Sequence, residues 1–410
     1  MKRIISFLLA VSILPLCGCS TQKQPQPDEP AKPLDLTTKS QEFIRLGNNF
    51  SFAFLDRVQA EAKTDYVISP LSLQILLGMI LDGAQGETEA QICKVLGYGA
   101  GETEAVNLFC KSMLQQLPAM DPKTTLKMAN AIFVDEGWPL KKSYMDDVKQ
   151  YYSAEIANLP FSDNQTSLAR INGWCSDHTN TLIPKILDSV DPNMLAYLLN
   201  ALYFKSQWAH QFPKAATGKE VFTDESGGQG GAQMMRLNES FAYTETKVFQ
   251  AVKLPYGNGA FSMTVLLPKK GSKVSDVTAA LTKTDWNELR ADMVSCTVDL
   301  WLPKFETTFH IHLNELLSAM GMPAAFDAEK AEFKGMSEYA LYLSFVQQDA
   351  VIKVDEEGAE AAAISSAGMM KETAFIPDDQ VVFHADHPFI YLITENSSGA
   401  VLFAGRFSKP

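Results

Sequence analysis

Apolar residues recur at helical spacing through the early part of the chain. Phe43, Leu46, Phe50, Phe54 and Leu55 follow Ser40, which reads as an N-cap, so an amphipathic helix is expected there. Ser69-Pro70 opens a second helix, because proline suits a first turn, and Leu73, Leu76, Leu77, Ile80 and Leu81 supply its apolar positions. The run Gly83 to Thr88 breaks that helix and starts another over Glu89 to Leu96. The period then shortens. Strands are expected at Leu126–Val134 and Leu195–Phe204, with the amphipathic stretch Ser167–Leu187 between them. Further strands are expected at Ala251–Leu254, Phe261–Leu267, Cys296–Leu302, Ala350–Val354, Phe389–Thr394 and Val401–Phe407, interrupted by one helix, Leu313–Met320. The run Met263 to Leu267 is apolar on nearly every residue, as expected of a strand buried on both faces. Helices first and sheets later, without regular βαβ alternation or internal repeats, give an α+β fold class.

The stretch from Asp355 to Phe375 fits neither period at first sight. It follows a strand, yet no bulky apolar residue occurs from Asp355 through Ala363. Taken two by two it becomes orderly: Ala359, Ala361, Ala363, Ser365 and Ala367 would face one way, and all are small. Glu360, Ala362, Ile364 and Ser366 would face the other way, and Gly358 permits a reversal of the backbone. Such a segment can be a loop in one state and a strand in a crowded sheet in another. A surface helix or a linker is the other reading of these residues.

The beginning of the chain reads as an address. Lys2 and Arg3 precede an apolar run, Ile4 to Leu16, too short for a membrane span, so residues 1–18 are expected to be a signal peptide. Leu16-Cys17-Gly18-Cys19 resembles the bacterial lipobox, with Cys19 as the residue that would carry lipid, although Cys17 stands where that motif usually has Ala, Ser or Thr. Residues 19–39, rich in Pro, Gln, Thr and Lys, are expected to be a lipid-anchored flexible tether, and 40–410 the folded domain. The expected location is therefore the bacterial cell envelope or the extracellular space, with the lipid anchor as the only membrane contact.

Composition narrows the chemistry. The chain is 46% hydrophobic, enough for a sizeable core, and its formal charge of −13 becomes two more negative once Lys2 and Arg3 are removed. With no basic stripe, such a surface argues against nucleic acid as a partner. Cys93, Cys110, Cys175 and Cys296 are far apart and fit no zinc spacing; buried thiols are expected, with a single bridge left open. Ser20-Thr21-Gln22-Lys23 has the Ser-x-x-Lys spacing of penicillin-recognising enzymes, but lies in the tether, where no pocket can form around it. A Gly-x-Ser-x-Gly motif is absent, and none of the six histidines has an obvious nucleophile as partner. His310 and His312 sit at strand spacing, yet two ligands without a third make a poor metal site. Neither a catalytic residue, a metal nor a cofactor is expected.

The motifs around the Asp355–Phe375 stretch resolve its meaning. They run from Val67-Ile68-Ser69-Pro70-Leu71-Ser72 and Gly83-Ala84-Gln85-Gly86-Glu87-Thr88 to Met128-Ala129-Asn130-Ala131-Ile132-Phe133 and Ile171-Asn172-Gly173-Trp174. Then come Leu199 to Lys205 (LNALYFK) with Trp208, Val252-Lys253-Leu254-Pro255-Tyr256, and Leu302-Pro303-Lys304-Phe305. The last are Asp355 to Ala363 (DEEGAEAAA), Phe383 to Phe389 (FHADHPF) and Phe403-Ala404-Gly405-Arg406. In number, order and spacing the chain resembles the serpin family, over essentially all of 41–410.

The resemblance implies a serpin fold: N-terminal helices, a large central mixed sheet, smaller sheets and an exposed reactive-centre loop. It implies a suicide-substrate trap rather than an enzyme. A serine protease, or a papain-like cysteine protease, attacks the loop and forms an acyl-enzyme through its own nucleophile. The loop then inserts as a strand and carries the protease to the far pole; some fifteen residues at about 3.3 Å each give roughly 50 Å. The hinge of that movement would be Glu356, Glu357, Gly358, Ala359, Glu360, Ala361, Ala362 and Ala363. Ala359 replaces the Thr that most inhibitory members have, and stays small. Counting on from Gly358 places the reactive bond within Lys371, Glu372 and Thr373, which suits trypsin-like or glutamyl-endopeptidase-like targets, while Met369, Met370 and Phe375 would serve elastase- or chymotrypsin-like enzymes. Ser69, Ser72 and Asn200 match the polar shutter under the sheet, Gln348 stands where the family commonly has His, and Trp208 matches the breach tryptophan. The segment matching a heparin-binding helix, about Glu102–Leu117, has Lys111 as its only cation, so no such cofactor is implied. The chain is expected to be a monomer until it meets a protease. The alternative is a non-inhibitory serpin acting as a binding or carrier protein.

Overall fold

Ser69 sets the start of the most buried helix. Its hydroxyl accepts from the Ser72 amide and Pro70 occupies the first turn. The helix that follows is apolar nearly all round and lies in the middle of the molecule, as a helix without a polar face must. In the computed structural model, residues 30–359 and 380–410 are described. The signal peptide, Cys19, the hinge residues Glu360 to Ala363 and the window Lys371, Glu372 and Thr373 lie outside them.

The described helices are α1 (Thr38–Glu61), α2 (Pro70–Gly83), α3 (Gly86–Leu96), α4 (Thr103–Gln116), α5 (Lys142–Tyr152), α6 (Asn164–His178), α7 (Val274–Leu281), α8 (Trp286–Ala291) and α9 (Asn314–Met320). The strands are β1 (Tyr66–Ile68), β2 (Thr125–Asp135), β3 (Glu155–Leu159), β4 (Ala196–Gln207), β5 (Gly218–Thr223), β6 (Gln229–Glu245), β7 (Phe249–Pro255), β8 (Phe261–Pro268), β9 (Val294–Pro303), β10 (Phe305–His312), β11 (Phe345–Val354), β12 (Gly358–Ala359), β13 (Val381–His384), β14 (Phe389–Glu395) and β15 (Val401–Phe407). The fold is α+β, as the order of periods indicated.

Two sheets organise these elements. The central one has the order β10-β11-β12-β4-β2-β3. Its long strands β11 and β4 form a parallel seam from Phe345↔Tyr197 to Val351↔Tyr203. The second sheet joins β1, β5 to β9 and β13 to β15. Its strands β8, β14 and β15 are buried at every position, which explains why they are mostly apolar. Helix α2 packs between that sheet and the central one, touching both β15 and β4.

Several local expectations change. The cap of α1 is Thr37, whose hydroxyl accepts from the Ser40 amide, so Ser40 is inside the helix. The strand expected at Ala350–Val354 begins at Phe345 instead, because Gln347, Gln348 and Asp349 carry polar side chains that are buried. Helix α6 ends at His178, and residues up to Leu187 form an irregular connection that starts with left-handed Asn180 and Thr181. Helices α5, α7 and α8 and strand β10 add to the expected set. Residues 30–37 lie against the body: Leu34 is buried, its amide donates to Ser397 Oγ (3.0 Å), and Asp35 and Gln116 exchange two hydrogen bonds. Among the described residues no helix is long and apolar enough to cross a membrane.

Candidate functional site: the hinge and the seam of the central sheet

The chain reverses sharply after β11. Asp355 makes the turn: its carboxylate accepts from the amides of Glu357 (2.9 Å) and Gly358 (3.3 Å), and its own amide donates to the Gly358 carbonyl (2.9 Å). Gly358 and Ala359 then run back between β11 and β4 as a two-residue wedge, paired as Val354↔Ala359, Gly358↔Gln207 and Ala359↔Ser206. Only glycine fits the first position. Its φ is +155°, and a Cβ there would lie 2.0 Å from the Ser206 carbonyl oxygen. Ala359 is wholly buried. Of the hinge residues expected from the sequence, Glu356 and Glu357 lie in the turn, and Gly358 and Ala359 are paired into the sheet.

The breach clasps this turn. Trp208 Nε1 donates to the Asp355 carbonyl (2.8 Å), the Trp208 amide to the Glu357 carbonyl (2.9 Å) and the Phe212 amide to the Glu356 carbonyl (3.0 Å). The indole stacks on the Tyr256 ring at 4.3 Å, which fixes its plane and so aims its N–H. Glu356 is buried, and its carboxylate takes hydrogen bonds from Lys304 Nζ (2.7 Å) and Thr217 Oγ1 (2.9 Å). Burial pushes its pKa up, but the Lys304 and Thr217 hydrogen bonds outweigh burial and hold it below the usual glutamate value. Glu357 pairs with the exposed Lys214 (2.5 Å).

Below the wedge, the face of the seam toward α2 carries the residues expected to form the shutter. Gln348 Oε1 accepts from the Ser69 amide (2.8 Å), while its Nε2 donates to the Ser69 carbonyl (3.0 Å) and to Asn200 Oδ1 (2.8 Å). Asn200 Nδ2 donates in turn to Ser72 Oγ (2.5 Å) and Asn130 Oδ1 (2.7 Å), and Ser69 Oγ donates to the Leu402 carbonyl (2.5 Å). All five side chains are buried. Gln348 and Asn200 thus join β11 to β4 across the seam, and Ser69, Ser72, Asn200 and Gln348 form one network. Trp208 is brought to the hinge instead.

Residues that sequence reasoning left without a role complete the site. Asn130 hydrogen-bonds Asn200, Lys304 and Thr217 hold Glu356, the Phe212 amide donates to the Glu356 carbonyl, and Tyr256 stacks on Trp208; Asn130, Lys304 and Tyr256 stand within family motifs. The signal for Asn130 was a lone amide in an apolar strand. His310 and His312 lie on β10; His310 pairs with the buried Asp349 and the His312 ring meets Phe345 at 5.0 Å. Among the described residues, no three His, Cys, Asp or Glu side chains come together as metal ligands. His384 stacks on Trp301 (4.0 Å) and pairs with Asp299 (3.0 Å), while His387 pairs with Asp386 (2.8 Å), so both brace β13 and its neighbours. Cys93, Cys110, Cys175 and Cys296 are free thiols.

A family model described as serpin (serine protease inhibitor) matches residues 45–410. The chain belongs to the serpin family. It is 33% identical to serpin B6 of Macaca fascicularis over 370 residues, covering 88% of this chain and 97% of that one. The thermophilic serpin tengpin in its native state superimposes with a TM-score of 0.84 at 30% identity, covering 93% of this serpin and 97% of tengpin. Human thyroxine-binding globulin shares the fold, with a TM-score of 0.83 at 24% identity over 91% of this chain and 100% of that one. Serpins are in general protease inhibitors rather than enzymes, and some are carriers.

Proposed function

We propose that this serpin is a suicide-substrate trap for serine proteases, with the segment after Ala359 as bait. The supporting observation is the wedge: Gly358 and Ala359 sit between β11 and β4 in the direction in which further residues would add. Continuation would bring Ala361, Ala363 and Ser365 to the inward positions, where small side chains pass without steric delay. Each inserted residue costs about 1–2 kcal/mol of backbone entropy, which new ladder bonds and packing must exceed. Inhibition is a race between that insertion and hydrolysis of the acyl-enzyme. The reactive bond is assigned to the window Lys371, Glu372 and Thr373. Signal removal before Cys19 would place the trap, lipid-anchored on a tether, at a cell envelope.

Protein lacking residues 1–18 would be mixed with trypsin, neutrophil elastase, a glutamyl endopeptidase and papain. A covalent complex that survives denaturing electrophoresis is the expected result, and mass spectrometry of the released peptide locates the bond. Clean cleavage with every protease still active would overturn the trap in favour of a non-inhibitory serpin. Ala361→Arg should convert complex formation into simple cleavage, because the guanidinium must pass between two closed strands.

A further inference from the structure

The opposite face of the seam is tied as well, by groups of another kind. The connection between α6 and β4 belongs to the β4 side: Asn172 Oδ1 accepts from the amides of Ile186 (2.9 Å) and Leu187 (3.0 Å), Asn164 Oδ1 from Val190 (2.7 Å), and Tyr197 Oη from Asp191 (2.8 Å). From β11, Gln347 Nε2 reaches over and donates to the Ile186 carbonyl (3.1 Å). The same Nε2 donates to Asp349 Oδ2 (2.5 Å), and the other oxygen of Asp349 is held by His310 Nδ1 from β10. Asp349 is completely buried and Gln347 nearly so, whereas His310 is 54% exposed. A buried carboxylate is tolerable only with a charged or strongly donating partner, and here that partner is open to solvent.

We propose that Gln347, braced by Asp349 and His310, is a proton-sensitive latch across the β4–β11 seam that sets how readily the sheet opens. Strand insertion must separate β11 from β4, and the Gln347–Ile186 bond spans that gap. With His310 charged, Asp349 is neutralised and holds the Gln347 amide in place. With His310 neutral, the buried carboxylate loses its cation, and separation of the strands, which would let water reach it, becomes less costly. Among the described residues, other ionisable groups on this face are His312 on β10, the Glu306–Lys353 pair further along β10 and β11, Cys175 and His178 on α6, the exposed Lys185–Asp188 pair beside Ile186 (2.5 Å), and Lys127 on β2, which donates to Asn180. Burial, aided by Asp349, pushes the Cys175 thiol up to about 12, so it stays neutral. His310 faces the carboxylate directly, and the Asp349 hydrogen bond raises its pKa above 6.5. The latch is therefore complete below pH 6.5 and is lost as pH rises through the raised value.

The consequence for inhibition rests on the trap reading, but opening can be measured without a protease. Hydrogen exchange of the peptides spanning 197–203 and 345–351 would be followed by mass spectrometry from pH 6 to 9 in the native protein and in His310→Gln. Taking the ratio of the two at each pH cancels the intrinsic pH dependence of exchange. The native-to-variant ratio should rise with pH: the native protein should open less readily than the variant at pH 6, where His310 is charged, and draw level with it at the alkaline end. Peptides from β2 should show no such trend. Gln347→Leu should open the seam at every pH and erase the effect of His310→Gln, since the two then share one missing link. A flat ratio across the range, or an equal trend in β2, would overturn the latch; His310→Gln at an exposed site decides this even if Gln347→Leu does not fold. If the ratio moves while no protease is trapped, the latch stands and the trap reading falls. Trapping with a flat ratio gives the converse.

Discussion

The two faces of the β4–β11 seam solve one problem with different chemistry. Toward α2, Ser69, Ser72, Asn130, Asn200 and Gln348 join the strands with neutral amides and hydroxyls. Toward α6, one amide does the joining, and it leans on a buried carboxylate and a half-exposed imidazole. Amides and hydroxyls both donate and accept, so a neutral network can exchange partners as strands separate. A buried carboxylate cannot; its cost without a cation is high, which makes that face depend on the proton. The network on the shutter face holds no titrating side chain, since Ser69, Ser72, Asn130, Asn200 and Gln348 carry only hydroxyls and amides. The proposed latch thus places a titrating group on one face, while the network on the other has none.

Substitutions can break this contrast in order of size. Asn200→Ala should have the largest effect. It strips partners from Ser72, Asn130 and Gln348 in a buried network and should cost about 3 kcal/mol or more, measured by denaturant unfolding of the native form. A loss of under about 1 kcal/mol would mean that water or neighbours replace the amide, and that the shutter face is not a closed network. Gly358→Ala should come next. The added Cβ meets the Ser206 carbonyl, so the wedge should leave the seam and Trp208 should lose its Asp355 partner. The expected cost is about 1–3 kcal/mol, and a red shift or quenching change in tryptophan emission with increased proteolysis after Val354 would report it. Unchanged emission and cleavage would show the wedge tolerates a side chain.

The smallest effect sharpens the comparison most. Gln348→His should give the shutter face a proton dependence of the opposite sign to that of His310. A buried imidazole has its pKa lowered, and once protonated it can no longer accept from the Ser69 amide. Stability from that face would be present at high pH and lost as pH falls through the lowered value, by about 1.4 kcal/mol for each tenfold loss of proton affinity. Hydrogen exchange of the seam should then pass through a minimum between the two titrations. A curve that still rises only toward alkaline pH would place no active histidine at the shutter.

Much of this was legible beforehand, and the exceptions have a common cause. Helix α2 could be read because proline, a serine cap and apolar residues agree locally, and β8 because nearly every side chain is apolar. Strand β11 was seen only from Ala350 onward. Its first half, Phe345 to Asp349, holds three polar residues that become buried because partners arrive from α2, from the α6–β4 connection and from β10. A pattern along the chain cannot register partners up to 279 residues away, as Gln348 is from Ser69. The same limit hid Asn130, Lys304 and Thr217, whose roles depend on which strand end meets which.

The sequence by itself determined the fold class and the family, because these follow from local period and motif order. The tertiary structure decided that Gly358 and Ala359 sit inside the sheet, since only the packed edges of β4 and β11 create a slot in which glycine and alanine fit. It also decided that His310, weak as a metal ligand in the sequence, pairs with a buried carboxylate. That role is set by the register of β10 against β11 and the burial of Asp349, and burial is a property of the assembled layers, not of any one strand.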